Sequence, residues 1–395
     1  MVPGVPNALQ RALVKLAGLL VLGGAAVAWA NPSVDRLAER RAELERLRRT
    51  PGGVVAIHDL VQTHWDWVPS RRIIGILDLA RRRDSHPLVQ GLGDLQAARA
   101  AWRQGRQDQA AALRLRAGVI PHWFLCGPLP SQGTSGHDEV FGVERDLGDW
   151  PRASARYRGK PPARWVRWRR IPLQLHRLEG ALPVGSFLGP ERQEAVAYLQ
   201  ALVSAGRRQL AALRLGTGGS FKVFLNGRQL AAREVTRPAR PDQDAIGLVL
   251  QPGTNRLVIK LTVAQGSWGL HARLTRPDGG RLDGITVLAA TPATAALPAV
   301  EPRPVAGTVT DPDVWLQRRL RDRPDDPLFL GDRARYLVRV TPTDPADRGV
   351  EELLHRWIQR APSSQGYLLL ARTRRDPDEE RRMVRRALDR SPHDL

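Results

Sequence analysis

The chain has 395 residues, 42% of them hydrophobic and 26% charged, enough to bury cores in two or three domains and too many for one ordinary domain. Its formal net charge of +21 is carried almost wholly by arginine, the only lysines being Lys15, Lys160, Lys222 and Lys260. A single cysteine, Cys126, excludes an intramolecular disulfide and any zinc site built on several thiolates.

A charge of this size suits a polyanion partner such as nucleic acid, an anionic lipid surface or an acidic polysaccharide. The arginines are spread over every segment, however, and a general preference for arginine codons describes that spread better than a binding stripe does. Runs such as Arg81-Arg82-Arg83 read as solvated helix faces or ends.

Residues 1–30 have the form of an export signal. Arg11 and Lys15 precede an apolar run from Leu16 to Val27, and Ala28-Trp29-Ala30 supplies the small-x-small pattern for cleavage before Asn31. The run is short for a membrane span, but Ala12 to Ala30 is borderline when Lys15 snorkels, so an uncleaved anchor is the alternative. The expected location is periplasmic or extracellular, with no membrane span after cleavage. That location argues against a nucleic-acid partner.

Residues 31–120 read as helices. Leu37, Leu44 and Leu47 share a face, Pro51-Gly52-Gly53 breaks the pattern, and Arg72 to Ala80 is a second apolar run. Leu88 to Ala117 predicts two alanine-rich helices joined near Gln104-Gly105-Arg106, which resembles a tetratricopeptide pair.

Residues 121–281 are β-rich. Strand-like runs occur at Trp123–Cys126, Val140–Val143, Ala163–Trp168 and Ala195–Val203. Asn226-Gly227, between Phe221–Leu225 and Arg228–Ala231, predicts a type I′ hairpin because both central residues must take positive φ. Pro252-Gly253-Thr254-Asn255 and Pro277-Asp278-Gly279-Gly280 mark further turns. Short strands at hairpin spacing predict an antiparallel sandwich or jelly roll.

Residues 282–310 read as an Ala/Pro-rich linker, and residues 311–395 as helices again. Turn signals recur at Pro324–Pro327, Ala361–Ser364 and Ser391–Asp394, at separations that bracket the roughly 34-residue tetratricopeptide period. The chain stops at Leu395 where another helix is due. Either the array is capped crudely or this is the front part of a longer protein.

No constellation for catalysis or for a cofactor emerges. There is no HExxH, no phosphate loop, no dinucleotide fingerprint and no GxSxG elbow. His58 and His64, with Asp66 nearby, read as solvent-facing or core histidines of a helix. His137-Asp138-Glu139 has oxygen ligands for a cation, but a loose acidic loop is the simpler reading. Cys126 lies in an apolar run and reads as a buried, inert thiol. Sugars stack on exposed tryptophans, so Trp123, Trp150, Trp165, Trp168 and Trp268 are the candidate ligand-binding residues, with core packing the simpler role for most. Trp165 and Trp168 are three apart and face opposite sides of a strand.

WFLCGPLPSQG, AVAYLQALVSAG followed by LRLGTGGSFKVFLNGRQL, and LQPGTNRLVIKLTVAQGSWGLHARL resemble the galactose-binding-like jelly roll. The resemblance implies paired strands ending in an Asn-Gly hairpin and in a second hairpin at Gly253-Thr254-Asn255. The order of signal, helices, β region and helices is also similar to the front part of exported bacterial transglutaminase-like proteins with tetratricopeptide repeats. Their Cys/His/Asp activity has no counterpart here, because Cys126 lies in the wrong context. The expected fold is therefore multidomain α and β, with a central antiparallel β-sandwich (jelly roll) flanked by α-helical, tetratricopeptide-like repeats. The expected function is a non-catalytic exported scaffold that binds protein partners on its helical repeats. One alternative is a carbohydrate-binding protein that reads cell-envelope polysaccharide through the sandwich. Another is the regulatory front of a transglutaminase-like hydrolase.

Overall fold

In the computed structural model, placement is described for residues 32–64, 70–131, 136–148, 155–159, 164–175, 180–189, 194–263, 268–290, 308–341, 348–374 and 376–391. The export-signal segment and Trp150 lie outside these residues.

Five helices come first: α1 (Pro32–Leu47), α2 (Gly53–His64), α3 (Ser70–Ala80), α4 (Pro87–Arg103) and α5 (Gln107–Arg116). Leucines and isoleucines at helical spacing, including Leu44, Leu47, Ile57, Leu60, Ile73 and Leu77, are fully or almost fully buried in their common core. The Pro51-Gly52-Gly53 break does more than end a helix. A Cβ on Gly53 would lie 2.8 Å from Val89, and one on Gly52 would lie 2.7 Å from Trp315, so both glycines permit close packing. Pro87 opens α4, where His86 accepts a hydrogen bond from the Leu88 amide at 3.2 Å.

The β region forms two antiparallel sheets. In chain order its elements are β1 (Phe124–Pro130), the short helix α6 (Gly142–Arg145), β2 (Arg169–Arg170), β3 (Leu182–Pro183), β4 (Ala195–Ala205), β5 (Gln209–Thr217), β6 (Ser220–Leu225), β7 (Arg228–Arg233), β8 (Asp244–Leu250), β9 (Gly253–Val263), β10 (Gly269–Thr275) and β11 (Ile285–Leu288). The larger sheet has the order β2-β1-β4-β9-β6-β7, with β11 also paired to β4; the smaller is β3-β10-β5-β8. One apolar core lies between them, with Leu199, Phe221, Val223 and Ile259 from one sheet meeting Leu213, Leu215, Leu248 and Leu270 from the other.

The Asn226-Gly227 hairpin forms as expected, with φ of 48° and 87° at its two central residues. Asn226 is also structural through its side chain. Its amide donates to Asn255 at 3.1 Å, and its oxygen accepts from the Arg256 backbone at 2.7 Å.

Several expectations require correction. The Gly253-Thr254-Asn255 turn is not a hairpin: β8 pairs with β5 and β9 with β4 and β6, so the turn carries the chain from one sheet to the other. Val140–Val143 is not a strand but a loop leading into α6, which covers the outer face of the larger sheet. Phe141, Val143 and Leu147 pack there on Cys126, Tyr198 and Val258. Within the expected strand at Ala163–Trp168, the described part is a single bridge between Val166 and Tyr157. The linker begins later than expected, because Leu282 is buried in the sandwich and Ile285–Leu288 pairs with β4.

The final helices are α7 (Pro312–Asp322), α8 (Pro327–Val340), α9 (Arg348–Arg360), α10 (Ser364–Ala371) and α11 (Pro377–Arg390). Asp311, Asp326 and Asp376 cap the helices that open on Pro312, Pro327 and Pro377. These helices are not a second, separate arm. Leu316, Tyr336 and Val340 enter the core of α1–α5, and Leu330 and Ala334 on the same α8 join the core of α9 and α10. Arg335 ties α8 to the N-terminal helices through buried Asp59 on α2 and Glu43 on α1.

Candidate functional site

Strand alternation builds the site. On β10, Leu270 and Leu274 point into the sandwich, which turns His271 and Arg273 toward the helices. On β5, Leu213 and Leu215 point inward and Arg214 outward, directly opposite Arg273. Two like charges in one cross-strand pair repel. Here Arg273 is held by Asp242 through a bidentate pair, with Nε donating at 2.8 Å, and by the Ala117 carbonyl at 3.1 Å. Arg214 donates instead to the Pro277 and Thr310 carbonyls at 3.2 and 3.1 Å. The Arg240-Pro241-Asp242 turn lies flat on the sheet because residue 216 is glycine; a Cβ there would sit 1.7 Å from the Arg240 carbonyl oxygen. Asp242 itself takes φ of 59°.

Between this face and the helices lies a cavity of about 510 Å³. Its wall combines α2, α4, α5, the smaller sheet and Arg339 of α8. Exposed Gln62 and Gly180 stand where it meets solvent. Apolar lining comes from Val61, Ile120, Leu173, Leu182 and Leu270. The charged lining, among the described residues, is Arg99, Arg114, Arg214, Arg240, Arg273 and Arg339 against one carboxylate, Asp242.

Burial controls the electrostatics. It pushes His58 down to about 3, reinforced by Arg339, and His271 down to about 4, so both imidazoles are neutral at pH 7. Burial lowers Arg214 and Arg339 to about 10, which leaves both charged. At Asp242 burial works to raise the carboxyl, but Arg273 outweighs it and the group sits below its ordinary value.

Lining side chains without a hydrogen-bond partner among the described residues include His58, Gln96, Arg240 and His271. His58 and Gln96 are only 7% and 6% exposed. None of their polar atoms is among the fully enclosed, unsatisfied ones of the described residues, so they face the cavity, where water or a ligand can pair with them. Among the described lining residues there is no Ser, Thr, Cys, Tyr or Lys.

The candidate tryptophans do not converge. Trp123 is buried in the inter-sheet core and contributes to the cavity wall. Trp268 is buried against Gly185. Trp165 is 59% exposed, with the Arg158 guanidinium 4.9 Å from its ring centroid, whereas Trp168 is half-buried with Arg256 at 5.9 Å. The two therefore do face different environments. His58 borders the cavity, while the His64 side chain and Asp66 lie outside the described residues.

In the acidic loop, His137 and Asp138 come together with Glu234 rather than with Glu139, their ligand atoms within 4.8 Å of one another. Lys222 already donates to Asp138 at 3.2 Å, and the Lys260 ammonium donates to the His137 carbonyl at 2.9 Å. These two cations oppose a metal ion there. Cys126 is buried, which pushes its thiol up to about 12 and keeps it protonated.

No protein-family model matches the chain, and no curated protein matches it. Among solved structures it is similar to the PA14 domain of the antifreeze protein MpAFP, at 15% identity over 25% of this chain and 55% of that one, with a TM-score of 0.20. It is also similar to a β-glucuronidase of an uncultured Clostridium sp., at 9% identity over 40% of this chain and 28% of that one (TM-score 0.25). A third is a β-glycosidase from Bacteroides vulgatus, at 14% identity over 40% of this chain and 20% of that one (TM-score 0.19). The chain thus spans about half the length of the first and less than a third of the other two. Likenesses this slight do not indicate what this chain binds.

Proposed function

We propose that the protein is a non-catalytic, exported binding protein whose ligand sits in the cavity between the helices and the sandwich. The carrying observation is the wall itself: His58 and Gln96 are buried, polar and unpartnered among the described residues, and both line the space. A fold gains nothing from such groups; a ligand that pairs with them does. The size of the cavity, the apolar lining and the few convergent polar groups match small-molecule sites in general. The neutral histidines, together with a carboxylate committed to Arg273, favour binding over proton transfer. Export rests on the 1–30 segment.

Replacing Gln96 with Met tests the reading. The free protein is expected to keep its stability or gain up to about 1 kcal/mol, because the amide removed has no protein partner among the described residues. Urea denaturation of the full chain measures this. A loss of more than about 1 kcal/mol makes Gln96 a structural residue and removes the basis for the site.

Trp165, 59% exposed with Arg158 over one face of its ring, supports a second, smaller platform, an exposed aromatic ring of the kind on which saccharides stack.

A further inference from the structure

We infer that the ligand of this cavity is an acidic saccharide, a polyhydroxylated ring compound carrying one carboxylate; this rests on the cavity being the binding seat. Among the described lining arginines, Arg240 has no hydrogen bond to the protein for its guanidinium. Arg273 is taken by Asp242, Arg339 by Asp59 and Gln62, and Arg214 by backbone carbonyls. One uncommitted guanidinium fork matches one carboxylate, with two parallel N–H···O bonds.

The remaining unpartnered groups specify hydroxyls. A neutral imidazole donates one hydrogen bond and accepts one, and the Gln96 amide donates two and accepts through its oxygen. Sugar hydroxyls do both, so they satisfy His58, His271 and Gln96 together. A fatty acid also offers a carboxylate, but its chain makes no hydrogen bond to these groups and covers them with hydrocarbon. The apolar wall of Ile120, Leu173, Leu182 and Leu270 suits the C–H face of a pyranose. The volume holds about one to two such rings.

Isothermal titration calorimetry on the full chain tests this with galacturonate, cellobiose, hexanoate and glucose 6-phosphate as probes. Galacturonate is expected to bind tightest. Arg240→Gln should weaken it by at least about tenfold, as loss of a bidentate charged pair does. Arg381→Gln, an exposed position on α11, should leave it unchanged. Tighter binding of cellobiose, of hexanoate or of glucose 6-phosphate, or equal binding of galacturonate by Arg240→Gln, overturns the assignment. Absence of galacturonate binding also overturns it. If Gln96→Met nevertheless stabilises the free protein, the cavity remains a binding seat and only the acidic-saccharide class falls. If that variant is destabilised, both fall.

Discussion

Replacing Arg335 with methionine should cost about 3 kcal/mol of stability, near the lower end for breaking a buried ion pair by removing one partner. The Arg335 side chain is 8% exposed and contacts Asp59, Asp332 and Glu43, whose side chains are 4%, 0% and 12% exposed. Methionine keeps most of the stem volume, so the loss is electrostatic rather than a cavity. It does not fall equally on the three carboxylates. Asp59 keeps Arg339 at 2.8 Å and Arg40 at 3.7 Å, and Glu43 keeps Arg40 at 2.7 Å. Asp332 keeps only Arg46, at 3.5 Å, and its Oδ2 has no hydrogen bond. The penalty therefore concentrates on Asp332.

That placement gives a second signature. Burial raises the Asp332 carboxyl even with Arg335 present, and removing the arginine raises it further. A folded pKa above the unfolded one means that the penalty is present at neutral pH and is relieved as pH falls through the folded value. The gap between Arg335→Met and the parent should thus narrow as pH falls from 7, and adding Asp332→Asn should close much of it at pH 7. Urea denaturation followed by tryptophan fluorescence and far-UV circular dichroism measures these differences. A loss below about 1 kcal/mol at pH 7, or a gap that widens in acid, would refute the placement of α8 in the N-terminal helical core.

Protonation of the cavity histidines makes a separate pH prediction. His58 and His271 take up protons below 6.5 when unfolded but only near 3 and 4 when folded, so stability is full above 6.5 and is lost as pH falls. The slope is at most about 1.4 kcal/mol per pH unit for each, less for half-buried His271, and His58→Gln should flatten it in a pH series of denaturation curves. Gly227→Ala should destabilise by about 1–3 kcal/mol: its φ is 87°, and the new Cβ would lie 2.9 Å from the Gly148 Cα. Trp165→Ala should change stability by less than about 0.5 kcal/mol, since the ring is mostly exposed, whereas Trp123→Ala should cost about 3–5 kcal/mol from the sandwich core. Thermal denaturation of the pair measures that contrast.

What could be read in the sequence was local. The Asn226-Gly227 turn, the helix breaks at Pro51 and Gly105, and the alternation on β6 each depend on a few adjacent residues, and each appears in the structure. Partnership across the chain could not be read. Gly253 looks like a hairpin residue, and only the pairing of β8 with β5 shows that it joins two sheets. Val140–Val143 has strand composition because it, too, must cover an apolar surface, here the outer face of the larger sheet. The candidate site was invisible for the same reason. The alternation Leu270-His271-Ala272-Arg273-Leu274 signals a polar face, but nothing local says that this face meets helices drawn from residues 53–116 and 327–340.

The charge of the chain gains a physical meaning at this junction. Some arginines at it donate to backbone carbonyls and to no carboxylate, Arg214 to Pro277 and Thr310 for one, while Arg237 and Arg273 add a carboxylate, Asp244 and Asp242, to their carbonyl partners Val340 and Ala117. Arginine suits this role because its fork makes several fixed bonds and keeps its proton on burial, where lysine readily loses its own. A carbonyl satisfies the N–H groups without cancelling the charge. The contacts that hold helices to sandwich therefore leave the space between them positive, with Asp242 the one carboxylate in its described lining. An anion bound there supplies what the protein's own packing leaves incomplete. Because three separated stretches of chain form the wall, ligand at 100 times its Kd should stabilise the assembled junction by about 2.7 kcal/mol.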